Sequence, residues 1–386
     1  MKRKRILSKI DKPLLFMCLL YSCIGVVFVL SASSVSAVLR NGEGPYYFFI
    51  RQSIFVVASY LIGFSIILKV PTKSYKPLIP IAIVGTIAVL LGLLFYGELV
   101  NSAKSWIDLG FFSIQPSEFA KTFLIIYLGV FFGSYDKKTN GKYTFLIPII
   151  VGIIIFALTA AQPDLGTALI IGGIVFFTFL SIPIKNNSVV KTLKILAGGV
   201  AVVAIVFIMT GTDLLTEEQK SRLEFAAPCT RYTLKTGYQT CNGFIAINGG
   251  GLLGKGLGNS TQKYLYLPEA HTDFIFPIIV EEAGTIFGVL MILGYMFILY
   301  RILLIAKSTY VLRNSIICYG VFIYILLHLI VNFCGILALI PLTGVPLPFL
   351  SYGGSFTTNL IMAIFIVLRI SYENTETKNK IKISDI

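Results

Sequence analysis

Long apolar runs dominate this sequence and constrain its fold more than any other feature. Windows of about twenty apolar residues, enough to cross about 30 Å of hydrocarbon, recur ten times. Because hydrocarbon offers the backbone no hydrogen-bond partner, such runs must be helices. With 13% charged and 56% hydrophobic residues, a chain of 386 residues has too little charge for a soluble surface. The predicted fold is therefore an all-α, polytopic membrane bundle with helices at about 13–38, 48–69, 78–96, 116–132, 144–161, 165–183, 194–210, 274–300, 314–340 and 355–370.

Lysine and arginine residues predict the orientation of these helices. If the tails, 1–12 and 371–386, are cytoplasmic, most basic residues fall in cytoplasmic connections, as the positive-inside rule requires. The short outer loops contain only Arg40, Arg51 and Lys104. The net charge of +14 is therefore interpreted as a topology signal and as contact with anionic membrane lipids, and it gives little reason to expect nucleic acid as a partner.

The predicted organisation is a single membrane domain, 1–386, with one large outer loop, 211–272, between the seventh and eighth helices. A loop of this length inside a compact membrane protein is usually functional. Cys229 and Cys241 share this loop and are able to form a disulfide bond in an oxidising compartment, although nothing local requires one. The sequence contains no cluster with metal-ligand spacing.

Asp273 is the strongest candidate for a working residue. It lies where the polar outer loop meets the eighth apolar run. A carboxylate at the boundary of water, headgroups and hydrocarbon is costly, so such a residue is usually functional. Glu281 and Glu282 lie two turns further into the helix and point in different directions, so at most one should share the face of Asp273. Lys121 is the obvious ion-pair partner for one of them.

A glycine-rich segment, 248–258, precedes Asp273. Its spacing is similar to a dinucleotide fingerprint and to a phosphate-binding P-loop. However, Gly256 follows Lys255 where a P-loop needs Ser or Thr for magnesium, and the strand-then-helix frame is missing. Two interpretations stay open: a tight irregular turn that lets the backbone approach a neighbour, or a cradle that holds phosphate through backbone N–H groups.

Ionisable residues in other predicted helices form a second group. Glu118 and Lys121 are three residues apart at the outer end of the fourth helix, so they share one face and are able to pair. The pair either fixes helix packing or forms a polar floor beneath an outer cavity. Asp164, in a short outer turn, either caps the sixth helix or contacts substrate.

Six motifs, in this order along nearly the whole chain, resemble the SEDS family of FtsW, RodA and SpoVE. They are Gln115-Pro116-Ser117-Glu118, Gln162-Pro163-Asp164-Leu165-Gly166-Thr167, Gly254-Lys255-Gly256-Leu257-Gly258, the run from Leu267 to Phe276, Glu281-Glu282, and the run from Pro341 to Ser355. The resemblance implies ten helices with one large external loop.

The resemblance also implies an activity: an inverting peptidoglycan glycosyltransferase that polymerises lipid II at the outer face of the cytoplasmic membrane. The family's essential aspartate aligns with Asp273, which would be the catalytic base. The leaving undecaprenyl pyrophosphate needs positive charge or N–H dipoles, for which Lys255, Lys263 and the glycine segment are candidates; a divalent cation, Mg²⁺ or Mn²⁺, is compatible with this chemistry. Other substrate-binding or supporting residues implied by the motifs are Gln262, His271, Glu118, Lys121, Asp164, Glu282 and Ser351.

The partners that the resemblance implies are lipid II, a class B penicillin-binding protein acting as transpeptidase, divisome proteins and membrane lipids. The segment 259–269 is closer to FtsW and SpoVE than to RodA, which predicts cell-wall synthesis at the division septum. Two departures from the family pattern are Lys104, one position earlier than the family's Arg before Trp106, and Asn332-Phe333-Cys334-Gly335 for the family's Asn-Ile-Gly. The alternatives are a lipid II flippase, a RodA-like elongation polymerase and a non-catalytic scaffold.

Overall fold

The computed structural model describes residues 6–96, 98–100, 103–110, 112–135, 144–182, 192, 195, 199, 228–231, 235–268 and 270–384, and most of them are helical. Of the described helices, seven are long and apolar enough to cross a membrane. The helices that build the fold are α1 (Lys12–Asn41), α2 (Tyr47–Ser65), α3 (Tyr75–Tyr96), α4 (Pro116–Gly133), α5 (Ile147–Ala161), α6 (Leu165–Ser181), α7 (Lys235–Gly250), α8 (Ile275–Lys307), α9 (Leu312–Ile336) and α10 (Gly354–Ser384).

Nine of the ten predicted apolar runs overlap with described helices. The predicted run 194–210 lies outside the described residues, apart from 195 and 199. At the C-terminus, α10 continues well past the predicted boundary at 370. This C-terminal extension is anchored by Glu373, which accepts hydrogen bonds from the Thr72 backbone N–H at 2.9 Å and from Asn314 Nδ2 at 3.0 Å.

Local sequence explains where two of the helices begin. Asp11 is the N-cap of α1, since its Oδ1 accepts a hydrogen bond from the Leu14 N–H at 2.9 Å, and Pro13 occupies the first turn, where no N–H is needed. Asp164 caps α6 in the same way by accepting from the Thr167 N–H at 3.1 Å. The N-cap contact that the sequence suggested for Asp164 is therefore present.

A small antiparallel sheet joins α3 to α4, and the all-α prediction did not include it. Its strands are β1 (Glu98–Val100), β2 (Ala103–Asp108) and β3 (Ser113–Ile114), in the order β1-β2-β3. Ile107 pairs with Ile114 across β2 and β3. Strands this short have too few residues to show a period of two, so their existence depends on the pairing itself.

The described part of the predicted large loop packs against the helix bundle. It contains α7, which packs along the first half of α8. A Cβ atom on Gly250 would lie 2.2 Å from the Val280 carbonyl oxygen, an approach that only glycine allows. The turn that follows α7 reaches Gly284, about 14 Å along α8 from Ile275. The structure also joins Cys229 to Cys241 by a disulfide bond, which settles the possibility that the sequence left open.

The same turn supplies hydrogen-bond partners to the backbone at a break in α8. Gly284 has φ 87° and ψ 164°, which are not helical values. Four backbone hydrogen bonds of 2.9 to 3.3 Å replace helical ones: Lys255 N–H to Glu281, Gly256 N–H to Glu282, Thr285 N–H to Gly251 and Ile286 N–H to Leu252. Hydrocarbon would leave such groups unsatisfied. The glycine segment is thus a tight turn, and the N–H groups of Lys255 and Gly256 are not available to a phosphate.

Candidate active site

Asp273 lies in the turn immediately before α8 and is only 6% exposed. Its backbone carbonyl accepts a hydrogen bond from Asn332 Nδ2 at 2.8 Å. Its carboxylate Oδ1 accepts a hydrogen bond from Thr272 Oγ1 at 3.1 Å. The other carboxylate oxygen, Oδ2, lies 4.0 Å from the position that a Cβ atom would take on Gly344. The carboxylate therefore faces the connection between α9 and α10.

This connection, which we call the Pro341–Phe349 segment, is held at several points around the aspartate. Asn332 Nδ2 donates to the Val345 carbonyl at 2.8 Å as well as to the Asp273 carbonyl, so one side-chain amide holds these two backbone segments together. The start of α6 contacts the segment too, because a Cβ atom on Gly166 would lie 2.6 Å from the Thr343 carbonyl oxygen. The motifs that are far apart in sequence converge on this segment.

Ser351 shapes the end of the segment. Its side chain is completely buried, and its Oγ accepts a hydrogen bond from the Leu347 N–H at 2.8 Å. Gln52 from α2 donates through Nε2 to the Ser351 carbonyl at 3.2 Å and accepts from the Gly353 N–H through Oε1 at 3.2 Å. These contacts assign Ser351 a structural task near the site, since the hydroxyl is not accessible to a ligand.

His271 lies two residues before Asp273 among aromatic side chains. Its ring centroid is 4.5 Å from that of Phe48 and 5.6 Å from that of Tyr352, and its carbonyl accepts a hydrogen bond from the Tyr352 N–H at 2.9 Å. Burial, and secondly the positive charge of Arg40, lower the pKa of the His271 imidazole from 6.5 to about 4. His271 is therefore neutral at neutral pH.

This histidine should make the folded protein less stable in acid. Because its pKa is lower in the folded state, the unfolded chain binds the proton first, and folding stability is lost as the pH falls from about 6.5 towards 4. Above about pH 6.5 both states are neutral and the effect is absent. Melting temperatures of wild type and His271→Gln, measured across this range, should show the smaller acid-induced decrease in the variant. Parallel curves would contradict the prediction.

Glu118 and Lys121 form a fully buried ion pair, with Lys121 Nζ 2.7 Å from Glu118 Oε1. Lys121 Nζ also lies 3.1 Å from His328 Nε2. Because an ammonium group only donates, Nε2 is the acceptor, and His328 Nδ1 carries the proton that is donated to the Pro346 carbonyl at 3.2 Å. The pair is thus connected through His328 to the Pro341–Phe349 segment.

The expected pairing of Lys121 with Glu281 or Glu282 is wrong. Lys121 is bound by Glu118 on its own helix α4 and by His328 on α9, whereas both glutamates of α8 bind the loop that follows α7. Lys255 Nζ lies 2.6 Å from Glu281 Oε1, and Lys263 Nζ lies 3.3 Å from Glu282 Oε1. The two glutamates also accept hydrogen bonds from Ser31 Oγ, Ser260 Oγ, Thr261 Oγ1 and the N–H groups of Ser260, Thr261 and Gln262.

These contacts bear on whether Lys255 and Lys263 are able to bind an anion. Both were predicted as candidates for binding pyrophosphate, yet each has its charge compensated by a fully buried carboxylate. Lys263 is itself buried and Lys255 is partly exposed. Gln262, another predicted site residue, is buried and donates its N–H to Glu281 Oε2 at 3.3 Å. The structure brings Lys255, Gln262 and Lys263 together with Glu281 and Glu282, in a cluster that anchors the loop.

Asn332 is a residue that the sequence analysis did not select. The available signal was an amide in an apolar helix, which usually has a partner inside the bundle. Asn332→Leu removes both hydrogen bonds that align Asp273 with the Pro341–Phe349 segment. If the Asp273 carboxylate acts on a bound substrate, as the sequence analysis predicts, we expect kcat to fall about tenfold to a hundredfold with little change in KM, because the carboxylate moves. The neighbouring Cys334→Ala is the control, and a change confined to KM would contradict the positioning role.

The described residues contain no group of three or more His, Cys, Asp or Glu side chains that could hold a metal ion. Asp273 could supply one carboxylate ligand to such an ion.

Comparison with known proteins identifies the family. The sequence model of the FtsW/RodA/SpoVE family, described as "Cell cycle protein", matches residues 12–376. The probable peptidoglycan glycosyltransferase FtsW of Bacillus subtilis is 35% identical over 388 residues, covering 98% of this chain and 94% of that protein. The protein of the same name from Wigglesworthia glossinidia brevipalpis is 33% identical over 380 residues, covering 97% of each.

A solved structure shares the fold. A chain of a peptidoglycan synthase complex, described for its coordination of polymerization and crosslinking, superposes with a TM-score of 0.74 at 21% identity, covering 95% of this chain and 98% of that one. The match extends over almost the whole chain, as do the sequence matches. The apolar helices, the motifs around Asp273 and these comparisons together show that this chain belongs to the FtsW/RodA/SpoVE family.

Proposed function

We propose that this chain is a peptidoglycan glycosyltransferase that polymerises lipid II into glycan strands, with Asp273 as its catalytic base. The observation that carries the proposal is a carboxylate, 6% exposed, held by Asn332 and faced by Gly344 where a loop enters a membrane-length helix. The relatives named as glycosyltransferases cover nearly the whole chain, which supports the same activity here.

The chemistry of the step follows from the substrate. Asp273 takes the proton of the acceptor sugar's 4-hydroxyl, whose oxygen forms a bond to the anomeric carbon of the donor. The bond from that carbon to undecaprenyl pyrophosphate breaks, and the leaving group keeps the electron pair. Attack on the face opposite the leaving group inverts the anomeric centre, so one positioned base is sufficient. The Pro341–Phe349 segment, through Asn332, keeps that base in place.

We also propose the membrane topology and the partners of the reaction. Ten membrane helices, both termini in the cytoplasm and the Asp273 turn on the outer face are supported by seven described apolar spans and by the distribution of basic residues. We infer a class B penicillin-binding protein as partner, since the structural neighbour is part of a synthase complex that also crosslinks. The FtsW relatives support a role at the division septum with divisome proteins.

One assay tests the activity directly. The purified chain, with and without a class B penicillin-binding protein and with and without Mg²⁺ or Mn²⁺, is incubated with lipid II, and glycan strands are separated by gel electrophoresis. Polymer is expected at least when the partner is present. In parallel, vesicles containing labelled lipid II report translocation. Translocation without any polymer would replace the polymerase by a flippase.

A second assay separates division from elongation. Cells depleted of this protein should grow as filaments without septa if it serves division. Swollen or rounded cells would instead indicate a RodA-like role in elongation.

A further inference from the structure

The outer face of the site contains two arginines that are not committed to carboxylates. Arg40 is in the last turn of α1 and is exposed. Arg51 is in the first two turns of α2 and is partly exposed. Neither has a carboxylate within ion-pair distance in the part of the chain that the structure describes. They differ in this from Lys255 and Lys263, whose charges are compensated by Glu281 and Glu282.

Both arginines are directed at the turn that carries Asp273. Arg40 Nη1 donates to the Pro268 carbonyl at 3.1 Å, five residues before the aspartate. Arg51 lies with its guanidinium 4.4 Å from the ring centroid of Tyr47, which packs edge-on against Phe48 at 5.1 Å. The ring of Phe48 in turn lies 4.5 Å from that of His271, so packed aromatic rings connect Arg51 to the 268–273 turn, which Arg40 contacts directly.

A third group in the same place has a free hydrogen-bonding position. His271 Nδ1 is buried and has no hydrogen-bond partner among the described residues. A buried polar atom without a partner costs free energy, and a bound ion is one of the explanations for such an atom. A neutral imidazole is able to donate one N–H to an anion without bringing a net charge.

We propose that Arg40 and Arg51, with His271 as a neutral donor, bind the pyrophosphate of the lipid-linked donor sugar and of the released lipid. The inference rests on the proposed function and names a different set of cations from the lysines. Guanidinium groups bind phosphate oxygens through two parallel N–H bonds, which suits a diphosphate better than a point charge does. Held there, the positive charges compensate the charge that develops on the leaving group as its bond to the sugar breaks.

The test measures binding rather than turnover. Purified protein in nanodiscs of zwitterionic lipid is titrated with fluorescent undecaprenyl pyrophosphate. The double variant Arg40→Ala/Arg51→Ala should bind at least tenfold more weakly than wild type, and Arg51→Lys should lose part of the affinity because it loses the bidentate geometry. Lys307→Ala, which changes an exposed cation at the other end of α8, is the matched control and should bind as wild type does. Melting temperatures establish that each variant is folded.

Competition experiments identify the source of the anion. Inorganic pyrophosphate should compete weakly, undecaprenyl phosphate less well than undecaprenyl pyrophosphate, and vesicles of anionic phospholipid not at all. Equal competition by phospholipid would show a general membrane contact and overturn the proposal. Loss of binding in Lys255→Met or Lys263→Met, with the arginine variant unchanged, would overturn it too and restore the lysines as the pyrophosphate site.

The outcome is distinguishable from a failure of the proposed function. The same titration in the Asp273→Ala protein needs no catalysis and should give the wild-type affinity. If the arginines are required for binding but no glycan forms under any condition, the pyrophosphate site stands and the polymerase assignment falls. If glycan forms normally and the arginine variant binds as wild type does, only the pyrophosphate site falls.

Discussion

Asp273→Ala is expected to lower lipid II polymerisation by the purified protein by about 10²- to 10⁴-fold, the range usual for loss of a general base. The Asp273 side chain is buried, and its backbone carbonyl accepts a hydrogen bond from Asn332 Nδ2. The measurement is the initial rate of glycan formation from lipid II in the presence of the partner transpeptidase. Asp273→Asn should be equally impaired, because an amide has a similar shape but cannot accept the proton.

A matched control separates loss of the proposed base from loss of an aspartate that lies outside the apolar helices in general. Asp108, in β2, is exposed and accepts a hydrogen bond from the Gly110 N–H at 2.8 Å. Asp108→Asn should polymerise lipid II at close to the wild-type rate. Full activity of Asp273→Ala would sink the assignment of the base. Cells kept alive by Asp273→Asn at normal expression would favour the non-catalytic scaffold.

Glu281→Ala is expected to produce the largest loss of stability, about 3–5 kcal/mol, the range measured when one partner of a buried ion pair is removed. The carboxylate has no exposed surface and accepts hydrogen bonds from Lys255, Ser260, Thr261 and Gln262. Its removal leaves several buried donors without an acceptor and releases the turn that repairs the break at Gly284. Thermal or denaturant unfolding in detergent measures the effect.

The other side of the pair provides the control. Lys255→Met removes the cation but leaves the buried Glu281 carboxylate with its donors from Ser260, Thr261 and Gln262, so its cost should be smaller, about 1–3 kcal/mol. The asymmetry between the two variants is the distinctive result. Equal losses would mean that the ion pair itself, rather than the set of backbone and side-chain donors around Glu281, stabilises the loop.

Local properties of the chain account for what was predicted correctly. The helices follow from apolar length, because any run that crosses hydrocarbon must satisfy its own backbone. The interest in Asp273 follows from the cost of a carboxylate at the membrane boundary, and the contact between Glu118 and Lys121 follows from their spacing of three on a helix. None of these inferences requires knowledge of which helix lies beside which.

The side-chain pairings that were predicted wrongly or missed all join distant parts of the chain. Lys121 was assigned to α8, but its additional partner is His328, 207 residues away on α9. Asn332 reaches Asp273 across 59 residues, and the lysines near the glycine segment turn back to Glu281 and Glu282. The sheet between α3 and α4 was missed for another reason: strands this short show no alternating pattern in the sequence.

By itself, the sequence determined the membrane class, the positions of nine described helices and the carboxylate on which the proposed chemistry depends. Only the tertiary structure decided which partner each of the described charges binds. An ion pair or a buried hydrogen bond forms with whichever partner packing brings within about 3 Å, and that choice is made between elements rather than within them. For this reason the lysines beside the glycine segment bind Glu281 and Glu282, and Arg40 contacts the Pro268 carbonyl near Asp273.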